Sequence, residues 1–490
     1  MLRAVCYSLL GTPSDACGIV ALGSGSRVFG CRRAAWGCSI VAIMIKDEDL
    51  PELARFRAAE RSLPIRADDS FGPLVVATDN DDVPIHRWFR LKESFSPDLL
   101  ETIITLLYPK RPATLSLLDT FAGVGTTLLS AQLFPETVIN AIGIERNPFI
   151  AFAAKTKLRW PDINPEEFLA EGHRVLEAAD ERRSILPSLS SISTGRCITL
   201  HKSKQLIGIR DRIKSLKHVA TRDALLLGLA ATIEPTSKIR RDGRALRIVE
   251  RQAVKIAPTI TTQWNRIASD STVTKARLPQ PAMPLLLEGD GRHPQKLGIL
   301  PASVDLVLTS PPYPNNIDYS EVYKLELWML GFITHATDFL SLRRQTFRSH
   351  PTCANPALTP DFMEAIATSG LKNTLNPIFT RAAEDPKRLR VFQGYFSDLW
   401  TTIKNIHDVL KPGGHAVLVV GNSLHGTNDG AYLLPTDLVI AQMATPLGFT
   451  VIDTIIARNL RRRLTGNHFL RESLVILQKP HGRQRRKTTI

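Results

Sequence analysis

The chain has 490 residues, of which 43% are hydrophobic and 22% charged, the balance of a globular protein and not of a disordered one. It contains no run of about 18 apolar residues, so the sequence predicts no membrane-spanning helix. The 62 lysines and arginines outnumber the 47 acids and give a net charge of +15. That excess favours a polyanionic partner, and a basic protein without such a partner is the alternative.

The first 43 residues differ in composition from the rest of the chain. They are rich in Gly, Ser, Ala and Cys and nearly free of acids, and they hold four of the six cysteines. The cysteine spacing fits neither a zinc site nor a C-x-x-C redox pair, and no secretory signal stands out. We predict that residues 1–43 are a poorly ordered extension and that Met44 is the natural start.

A buried strand that leads into a glycine loop is predicted at residues 115–127. The apolar run ends at Asp119, and Gly123 and Gly125 follow before a predicted helix begins. Glycine lets the backbone approach a ligand closely at a helix N-terminus. A lone G-x-G loop is weak evidence, and an ordinary strand–turn–helix is the alternative.

A second strand, residues 139–145, ends at Glu145, which lies 26 residues after Asp119. In nucleotide-type pockets an acid at this point accepts hydrogen bonds from ribose hydroxyls. A third strand is predicted at residues 284–287, shortly before Asp290. Because the ends of parallel strands meet at one sheet edge, we expect these acids to lie close together.

A basic segment, residues 165–283, separates the second strand from the third. Within it, residues 201–280 hold 17 lysines and arginines against six acids. The charge is densest between positions 238 and 247, at Lys238, Arg240, Arg241, Arg244 and Arg247. We predict that this insertion contacts nucleic-acid phosphates through those cations. A solvated, basic helical insertion is the alternative.

The most specific feature of the chain is Thr-Ser-Pro-Pro-Tyr at residues 309–313, directly after a predicted strand at 304–308. The two prolines stiffen the backbone and remove two amide donors, and the first also holds Ser310 extended. The result is a ridge of carbonyl acceptors beside an aromatic ring, which suits a planar base that carries an amino group. A plain Pro-Pro turn with a core tyrosine is the alternative.

With both motifs in view, residues 85–480 resemble the amino-group DNA methyltransferases, the N4-cytosine and N6-adenine enzymes with a TSPPY-type motif. Residues 119–127 resemble their loop for S-adenosylmethionine (SAM), and residues 309–313 resemble their catalytic motif. Residues 89–97 resemble the family element that closes over the methionine of SAM. Residues 409–420 resemble the segment that contains the fifth strand, and residues 449–457 and 472–478 resemble the closing strand pair. Thr120 departs from the family, which commonly has Pro there.

The resemblance implies an α/β fold with a Rossmann-like SAM-dependent methyltransferase sheet, mainly parallel with an antiparallel closing strand, plus basic helical insertions. It implies SAM as the cofactor, with Asp119 near the methionine, Glu145 at the ribose and Asp290 near the adenine ring. The other implied cofactor-binding residues are Ser94, Pro97, Phe121, Gly123 and Gly125.

The implied reaction is methylation of an exocyclic amino group on a base flipped out of the helix. Ser310 and the Pro311 carbonyl would accept the amino hydrogens, Pro312 would stiffen the ridge and Tyr313 would stack on the base. No Pro-Cys pair occurs in the chain, which argues against the carbon-5 cytosine methyltransferases. Serine at position 310 makes cytosine N4 the preferred target over adenine N6.

Two other functions stay open on the sequence. An RNA methyltransferase acting on a base amino group would use the same ridge, although nothing resembles a known RNA-binding module. A noncatalytic DNA-binding protein could retain the fold. The predicted partners are double-stranded DNA and, in a restriction–modification system, a cognate nuclease. The sequence shows no metal-ligand cluster. Because few cysteines occur beyond residue 43, we expect a cytoplasmic enzyme, and with DNA as its substrate we expect it at the nucleoid.

The predicted organisation therefore has five parts. The N-terminal extension spans residues 1–43. The methyltransferase domain occupies residues 44–164 and 284–480, and the basic insertion 165–283 interrupts it. A basic tail spans residues 481–490. A second insertion, residues 333–393, carries Arg343, Arg344, Arg348 and His350 and is predicted either to line the DNA cleft or to form a lid.

Overall fold

The computed structural model describes part of the chain, with gaps. The described residues are 18–21, 27–30, 52–179, 197–242, 245–250, 252, 254–278, 281–315, 317–425, 432–460 and 469–481. Most of the predicted extension, residues 1–43, and of the predicted tail, residues 481–490, lies outside them, so both remain predictions. Within the described part, no helix has the length and apolar content needed to cross a membrane.

The strands in chain order are β1 (Gly18–Ala21), β2 (Arg27–Gly30), β3 (Ile65–Ala67), β4 (Thr114–Asp119), β5 (Val138–Glu145), β6 (Ile239–Asp242), β7 (Ala245–Ile248), β8 (Leu285–Glu288), β9 (Val304–Thr309), β10 (Leu410–Gly421), β11 (Ser423–His425), β12 (Tyr432–Leu434), β13 (Thr450–Asn459) and β14 (Arg471–Gln478). The helices are α1 (Leu53–Glu60), α2 (Leu99–Leu107), α3 (Thr126–Gln132), α4 (Pro148–Leu158), α5 (Pro165–Ala178), α6 (Leu200–Lys214), α7 (Val219–Thr236), α8 (Ile256–Arg277), α9 (Tyr319–Val322), α10 (Lys324–Met329), α11 (Ala336–Gln345), α12 (Pro360–Thr368), α13 (Leu371–Ala382), α14 (Pro386–Val409) and α15 (Thr436–Ala444).

Eight strands form one mixed sheet in the order β3-β13-β14-β10-β9-β4-β5-β8. Every neighbouring pair is parallel except the two that involve β14, which runs antiparallel to both β10 and β13. The central strands β4 and β9 are almost wholly buried, as expected for parallel strands covered on both faces. The predicted mainly parallel sheet with an antiparallel closing strand is confirmed.

The predicted strands correspond to β4, β5, β8, β9, β10, β13 and β14, with small shifts at their ends. The short edge strand β3 was not predicted; it pairs in parallel with β13 from a position early in the chain. The topology brings Asp119, Glu145 and Thr309 to the carboxyl ends of adjacent strands, the edge at which open α/β sheets bind ligands.

The basic insertion contributes helices α5, α6, α7 and α8, whose apolar side chains join the same hydrophobic cluster as one face of the sheet. The ring of Trp264 in α8 is buried against two glycines, Gly172 and Gly228. A Cβ added at Gly172 would lie 2.8 Å from the ring and one added at Gly228 would lie 2.5 Å from it, so neither position has room for a side chain. The insertion is not helical throughout: β6 and β7 pair as an antiparallel hairpin. Glycine at position 243, the first of the two residues between the strands, is the sequence signal for that hairpin.

Candidate active site

One pocket opens at the carboxyl ends of β4, β5, β8 and β9. Its wall combines the glycine loop, the ends of the neighbouring strands and the predicted catalytic motif. Its lining includes Glu93, Ser94, Asp119, Phe121, Gly123, Glu145, Arg146, Asp290, Gly291, Ser310, Pro312, Tyr319 and Phe347. The structure therefore brings two motifs that lie almost 190 residues apart in sequence into one cavity.

The glycine loop turns sharply between β4 and α3. Gly123 and Gly125 adopt φ values of 54° and 80°, in the left-handed region where only glycine is free of steric cost. The amide of Gly123 donates to Glu145 Oε2 at 3.0 Å. The loop is thus tied to the end of the neighbouring strand, and its backbone forms one side of the pocket.

Asp119 connects the glycine loop to the 309–313 motif. Its buried carboxylate accepts hydrogen bonds from the Thr309 hydroxyl at 2.8 Å, the Thr127 hydroxyl at 2.6 Å and the Phe121 amide at 3.1 Å. Burial raises the pKa of Asp119 to about 6, although these hydrogen bonds oppose the shift. Three donors on one carboxylate fix the relative position of β4, α3 and β9.

Glu145 faces the pocket from the end of β5. Its second oxygen, Oε1, accepts from the Asn147 amide at 2.7 Å. Burial raises the pKa of Glu145 to about 7, against the effect of these backbone donors. A carboxylate held by two amides and turned toward a cavity can accept hydrogen bonds from neighbouring hydroxyl groups.

Asp290 lies in the pocket wall within a chain of alternating charges. It pairs with Arg292 at 2.7 Å and with Arg146 at 3.1 Å. Arg292 continues to Asp398 at 2.8 Å, and Asp398 pairs with Arg348 at 2.7 Å. Desolvation alone would raise the pKa of Asp290, but Arg292 and Arg146 hold it below its usual range.

The predicted catalytic motif, residues 309–313, begins at Thr309, the last residue of β9, and continues directly from it. The Ser310 hydroxyl donates to the Val419 carbonyl at 3.0 Å. The Tyr313 ring packs on Gly421, where a Cβ would lie 2.7 Å from the ring. Burial raises the pKa of Tyr313, whose hydroxyl also interacts with Ser310 and Glu472. Ser310 and Pro312 line the pocket, whereas Pro311 and Tyr313 are not part of its lining.

Of the remaining predicted cofactor-binding residues, Ser94 and Phe121 line the pocket and Pro97 does not. The Ser94 hydroxyl lies in the pocket wall, 2.8 Å from that of Thr126 at the start of α3. Phe121 also lines the pocket, with its ring 5.6 Å from that of Phe347. Pro97 does not line it; its carbonyl accepts from Ser130 at 2.9 Å and thereby joins residues 89–97 to α3.

The predicted DNA-contacting cations separate into three groups. Lys238, Arg240 and Arg247 are exposed, and Arg244 lies outside the described residues. Arg241 is largely buried and pairs with Glu234 and Glu326. In the second insertion, Arg343 and Arg348 are likewise paired with acids, Asp318 and Asp398.

Several pocket residues were not assigned roles from the sequence. Arg146 directly follows Glu145, so the sequence already indicated that Arg146 lies at the end of a strand. Thr309 belongs to the quoted motif, but only β4–β9 pairing reveals its bond to Asp119. Tyr319 and Phe347 come from segments with no motif, and no sequence signal indicates that they reach this pocket.

Gly291→Ala should disrupt the pocket floor. A Cβ at this position would lie 1.8 Å from the Thr120 backbone oxygen, so the glycine loop or the segment after β8 must move. We expect a marked loss of SAM affinity and a destabilisation on the order of 1–3 kcal/mol, as for overpacking, measured by calorimetry and thermal unfolding. The matched control is Gly370→Ala, where nothing lies within 4 Å of the added atom and little change is expected. SAM affinity equal to the wild-type value in Gly291→Ala would contradict the placement of this turn.

The fold and the pocket define the class. In spatial order, seven strands of the sheet are β8, β5, β4, β9, β10, β14 and β13, and β14 is reversed between β10 and β13. A glycine loop follows β4 and contacts Glu145 at the end of β5. These are the features of the Rossmann-like fold of SAM-dependent methyltransferases.

Comparison with known proteins finds type II methyltransferases that are similar over most of the chain. The chain is 26% identical over 450 residues to the type II methyltransferase M.AvaI of Nostoc sp. and Anabaena variabilis, covering 83% of this chain and 88% of that protein. It is 23% identical over 454 residues to the type II methyltransferase M.BsoBI of Geobacillus stearothermophilus, covering 82% and 87%. A solved structure, the rRNA methyltransferase AviRa of Streptomyces viridochromogenes, overlaps 79% of this chain and 85% of its own at 12% identity, with a TM-score of 0.27. No protein-family model matches.

The curated relatives confirm the resemblance to DNA methyltransferases that the two motifs predicted. The predicted cofactor, SAM, is confirmed as well. The residues present fit it, since Gly123 of the glycine loop and the buried carboxylate of Glu145 line one cavity.

Proposed function

We propose that this protein is a site-specific DNA methyltransferase that transfers a methyl group from SAM to an exocyclic amino group of a base. The observation that carries the proposal is the shared pocket. Residues of the glycine loop and of the 309–313 motif line the same cavity, so a cofactor methyl group and a target amino group can meet there. The similarity to two type II methyltransferases over most of the chain supports DNA as the substrate.

Three acids would hold the cofactor. Glu145 would accept hydrogen bonds from the ribose hydroxyls, Asp119 would lie near the methionine and Asp290 near the adenine ring. Ser94 and Phe121 would complete the wall, with Pro97 supporting it from behind. When bound, SAM supplies a methyl group on a sulfonium sulfur, which is electrophilic without help from a metal or a covalent protein intermediate.

The chain's task is to position the attacking nitrogen. The Ser310 proton is directed to the Val419 carbonyl and the Tyr313 hydroxyl also contacts Ser310, so one lone pair of the Ser310 oxygen would remain to accept an amino hydrogen of the base. The Pro311 carbonyl would accept the other. Together they would localise the nitrogen lone pair, while Tyr313 stacks on the flipped base. Catalysis would then come from orientation and electrostatics.

Cytosine N4 is the proposed target in preference to adenine N6. The basis is serine at position 310, where the N6-adenine members of the resembling family more often carry an acid or an amide. The exposed cations Lys238, Arg240 and Arg247, with Arg244, would attract the DNA backbone. A place at the nucleoid follows from such a substrate, and a restriction–modification role with a cognate nuclease would fit the type II relatives.

Methylome sequencing tests the proposal. DNA from cells that express the protein would be compared with DNA from cells that express a Pro311→Ala, Tyr313→Ala double variant. We expect N4-methylcytosine at one short motif in the first sample only. N6-methyladenine would overturn the base assignment but retain the mechanism. Marks in RNA and none in DNA would replace the proposal with the RNA alternative, and failure to bind SAM would leave a noncatalytic DNA-binding protein.

SAM affinity should depend on pH through Glu145. The ionised carboxylate would accept hydrogen bonds from the two ribose hydroxyls, and burial raises the pKa of Glu145 to about 7. Binding to the ionised form therefore weakens as the pH falls below 7, by about tenfold for each pH unit. Calorimetry from about pH 8 down to about pH 6 should show this rise in Kd.

Two variants make the pH test specific. Glu145→Gln should bind SAM more weakly above pH 7 and lose this part of the pH dependence. Glu288→Gln, at the exposed position that pairs with Glu145 in the β5–β8 ladder, should keep the wild-type profile. A pH profile of Glu145→Gln identical to that of the wild type would remove Glu145 from the ribose site.

A further inference from the structure

A row of side chains crosses the sheet next to the 309–313 motif. Glu472 of β14 stands in register with Gly421 of β10 on one side and with Arg458 of β13 on the other. A Cβ added at Gly421 would lie 2.7 Å from the Tyr313 ring and 3.5 Å from the Cγ atom of Glu472. Glycine at position 421 therefore lets an acid of β14 and the ring of the motif meet over the same strand.

The carboxyl group of Glu472 has two partners in this row. Its Oε2 atom pairs with the Arg458 guanidinium, and the carboxyl also forms a hydrogen bond with the Tyr313 hydroxyl. The Glu472 side chain is only 10% exposed, whereas that of Arg458 is 41% exposed. Burial raises the pKa of Glu472, and Arg458 and the Tyr313 hydroxyl oppose that shift. The ion pair thus favours a carboxylate that can only accept hydrogen bonds.

The Tyr313 hydroxyl has one proton and two oxygen neighbours that can accept it. One neighbour is the Glu472 carboxylate and the other is the Ser310 oxygen. Because a charged acceptor forms the stronger hydrogen bond, the Tyr313 proton is directed to Glu472. Ser310 directs its own proton to the Val419 carbonyl at 3.0 Å. With both protons placed in this way, the Ser310 oxygen touches Tyr313 without receiving its proton.

The direction of the Tyr313 proton bears on methyl transfer. If an apolar residue replaced Glu472, the proton would turn to the Ser310 oxygen. A hydroxyl oxygen has two lone pairs, and one that already accepts a hydrogen bond attracts a second donor less strongly. In the proposed reaction that second donor is the amino group of the target base. The lone pair of its nitrogen would then be less localised and the nitrogen a weaker nucleophile.

We propose that Glu472 is a positioning residue for methyl transfer, which takes the Tyr313 proton and so leaves the Ser310 oxygen available to the target amino group. Arg458 supports it by holding the carboxylate in place. Glu472 acts through Tyr313 and lies outside the pocket lining, so its loss should leave SAM affinity unchanged. The inference deepens the proposed DNA methyltransferase function and rests on it.

A double-mutant cycle on the rate of methyl transfer tests this role. The full-length wild type, Glu472→Met, Tyr313→Phe and the double variant are compared in single turnover, with radiolabelled SAM and unmethylated genomic DNA both saturating. Phenylalanine keeps the aromatic ring and removes only the hydroxyl. We expect Glu472→Met to slow methyl transfer by about tenfold, the usual order of coupling between contacting groups. The double variant should be no slower than Tyr313→Phe.

Two milder changes at position 472 complete the cycle. Glu472→Gln keeps an oxygen that can accept the Tyr313 proton, and we expect it to recover most of the rate lost in Glu472→Met. Glu472→Asp keeps the charge and the Arg458 partner but withdraws the acceptor by one methylene. It should slow transfer only while the Tyr313 hydroxyl is present, and it replaces Glu472→Met in the cycle if that variant does not fold.

Glu52→Met is the matched control for a purely structural effect. Glu52 is also a buried acid, with a side chain 5% exposed, and it pairs with a partly exposed arginine, Arg381, at 3.2 Å. We expect its loss to lower the Tm about as much as Glu472→Met does and to leave the single-turnover rate of the folded protein near the wild-type value.

The cycle distinguishes this inference from the function on which it rests. A double variant slowed by the product of the two single effects would show that Glu472 does not act through the Tyr313 hydroxyl, and would overturn the inference. A wild-type rate in both Glu472→Met and Glu472→Asp would overturn it as well. Absence of any methyl transfer to DNA by the wild type would instead overturn the proposed function.

Discussion

Replacing Ser310 with alanine should lower the rate constant of methyl transfer by about 10²–10³-fold, the usual effect of removing one preorganised hydrogen-bonding group from a reaction centre. The Ser310 oxygen is oriented by its bond to the Val419 carbonyl at 3.0 Å. Its remaining lone pair would otherwise accept the amino hydrogen and raise the nucleophilicity of the nitrogen. A single-turnover assay with radiolabelled SAM and duplex DNA measures this rate directly.

SAM affinity should change little in the same variant, since the predicted cofactor contacts are made by Asp119, Glu145 and Asp290. The matched control is Ser423→Ala. Ser423 follows β10, and its hydroxyl contacts the Pro314 carbonyl at 3.2 Å and His425 at 2.9 Å, outside the pocket lining. We expect near-normal rates for that variant. A Ser310→Ala protein that turns over like the control would exclude the proposed role of the hydroxyl.

Arg471→Met should produce the largest loss of stability. Arg471 is only 1% exposed at the start of β14 and pairs with Asp437 at 2.7 Å and with Glu60 at 2.6 Å. Asp437 is fully buried and also accepts from Ser473 at 2.9 Å and from Asn422 at 2.8 Å. Removing one member of a buried ion pair leaves the other uncompensated, which costs about 3–5 kcal/mol.

Equilibrium unfolding in urea measures this change in the free energy of unfolding. The control is Arg66→Met, because Arg66 also contacts two carboxylates, those of Asp68 and Asp453, but is 44% exposed. An exposed pair of this kind contributes about 0–1 kcal/mol. Equal losses in the two variants would mean that burial does not determine the importance of Arg471.

This buried network also bears on the active site. The Asn422 amide group donates to Asp437 and to the Phe469 carbonyl, each at 2.8 Å. Asn422 directly follows Gly421, the residue on which the Tyr313 ring packs. The network therefore fixes the end of β10 beneath the catalytic motif, and its loss should disturb the position of Tyr313 as well as the stability of the chain.

The sequence by itself determined the features that depend on local order. An apolar run, an acid and closely spaced glycines specify a strand, a sharp turn and a helix start, and these became β4, the glycine loop and α3. Two prolines after a strand specify a stiff ridge wherever that strand lies. Because the motifs occur in a recognisable order, the fold class, the cofactor and the pocket-forming acids Asp119, Glu145 and Asp290 could be predicted.

Only the tertiary structure decided which arginines are exposed and which are buried in ion pairs. Arg240 and Arg241 are adjacent and chemically identical, yet one is exposed and the other is buried against Glu326, 85 residues away. Likewise, the bond between Thr309 and Asp119 spans 190 residues, and β3 joins the sheet edge beside β13 from the other end of the chain. Such contacts depend on how the sheet and helices pack around one core, and local sequence carries no record of that long-range packing.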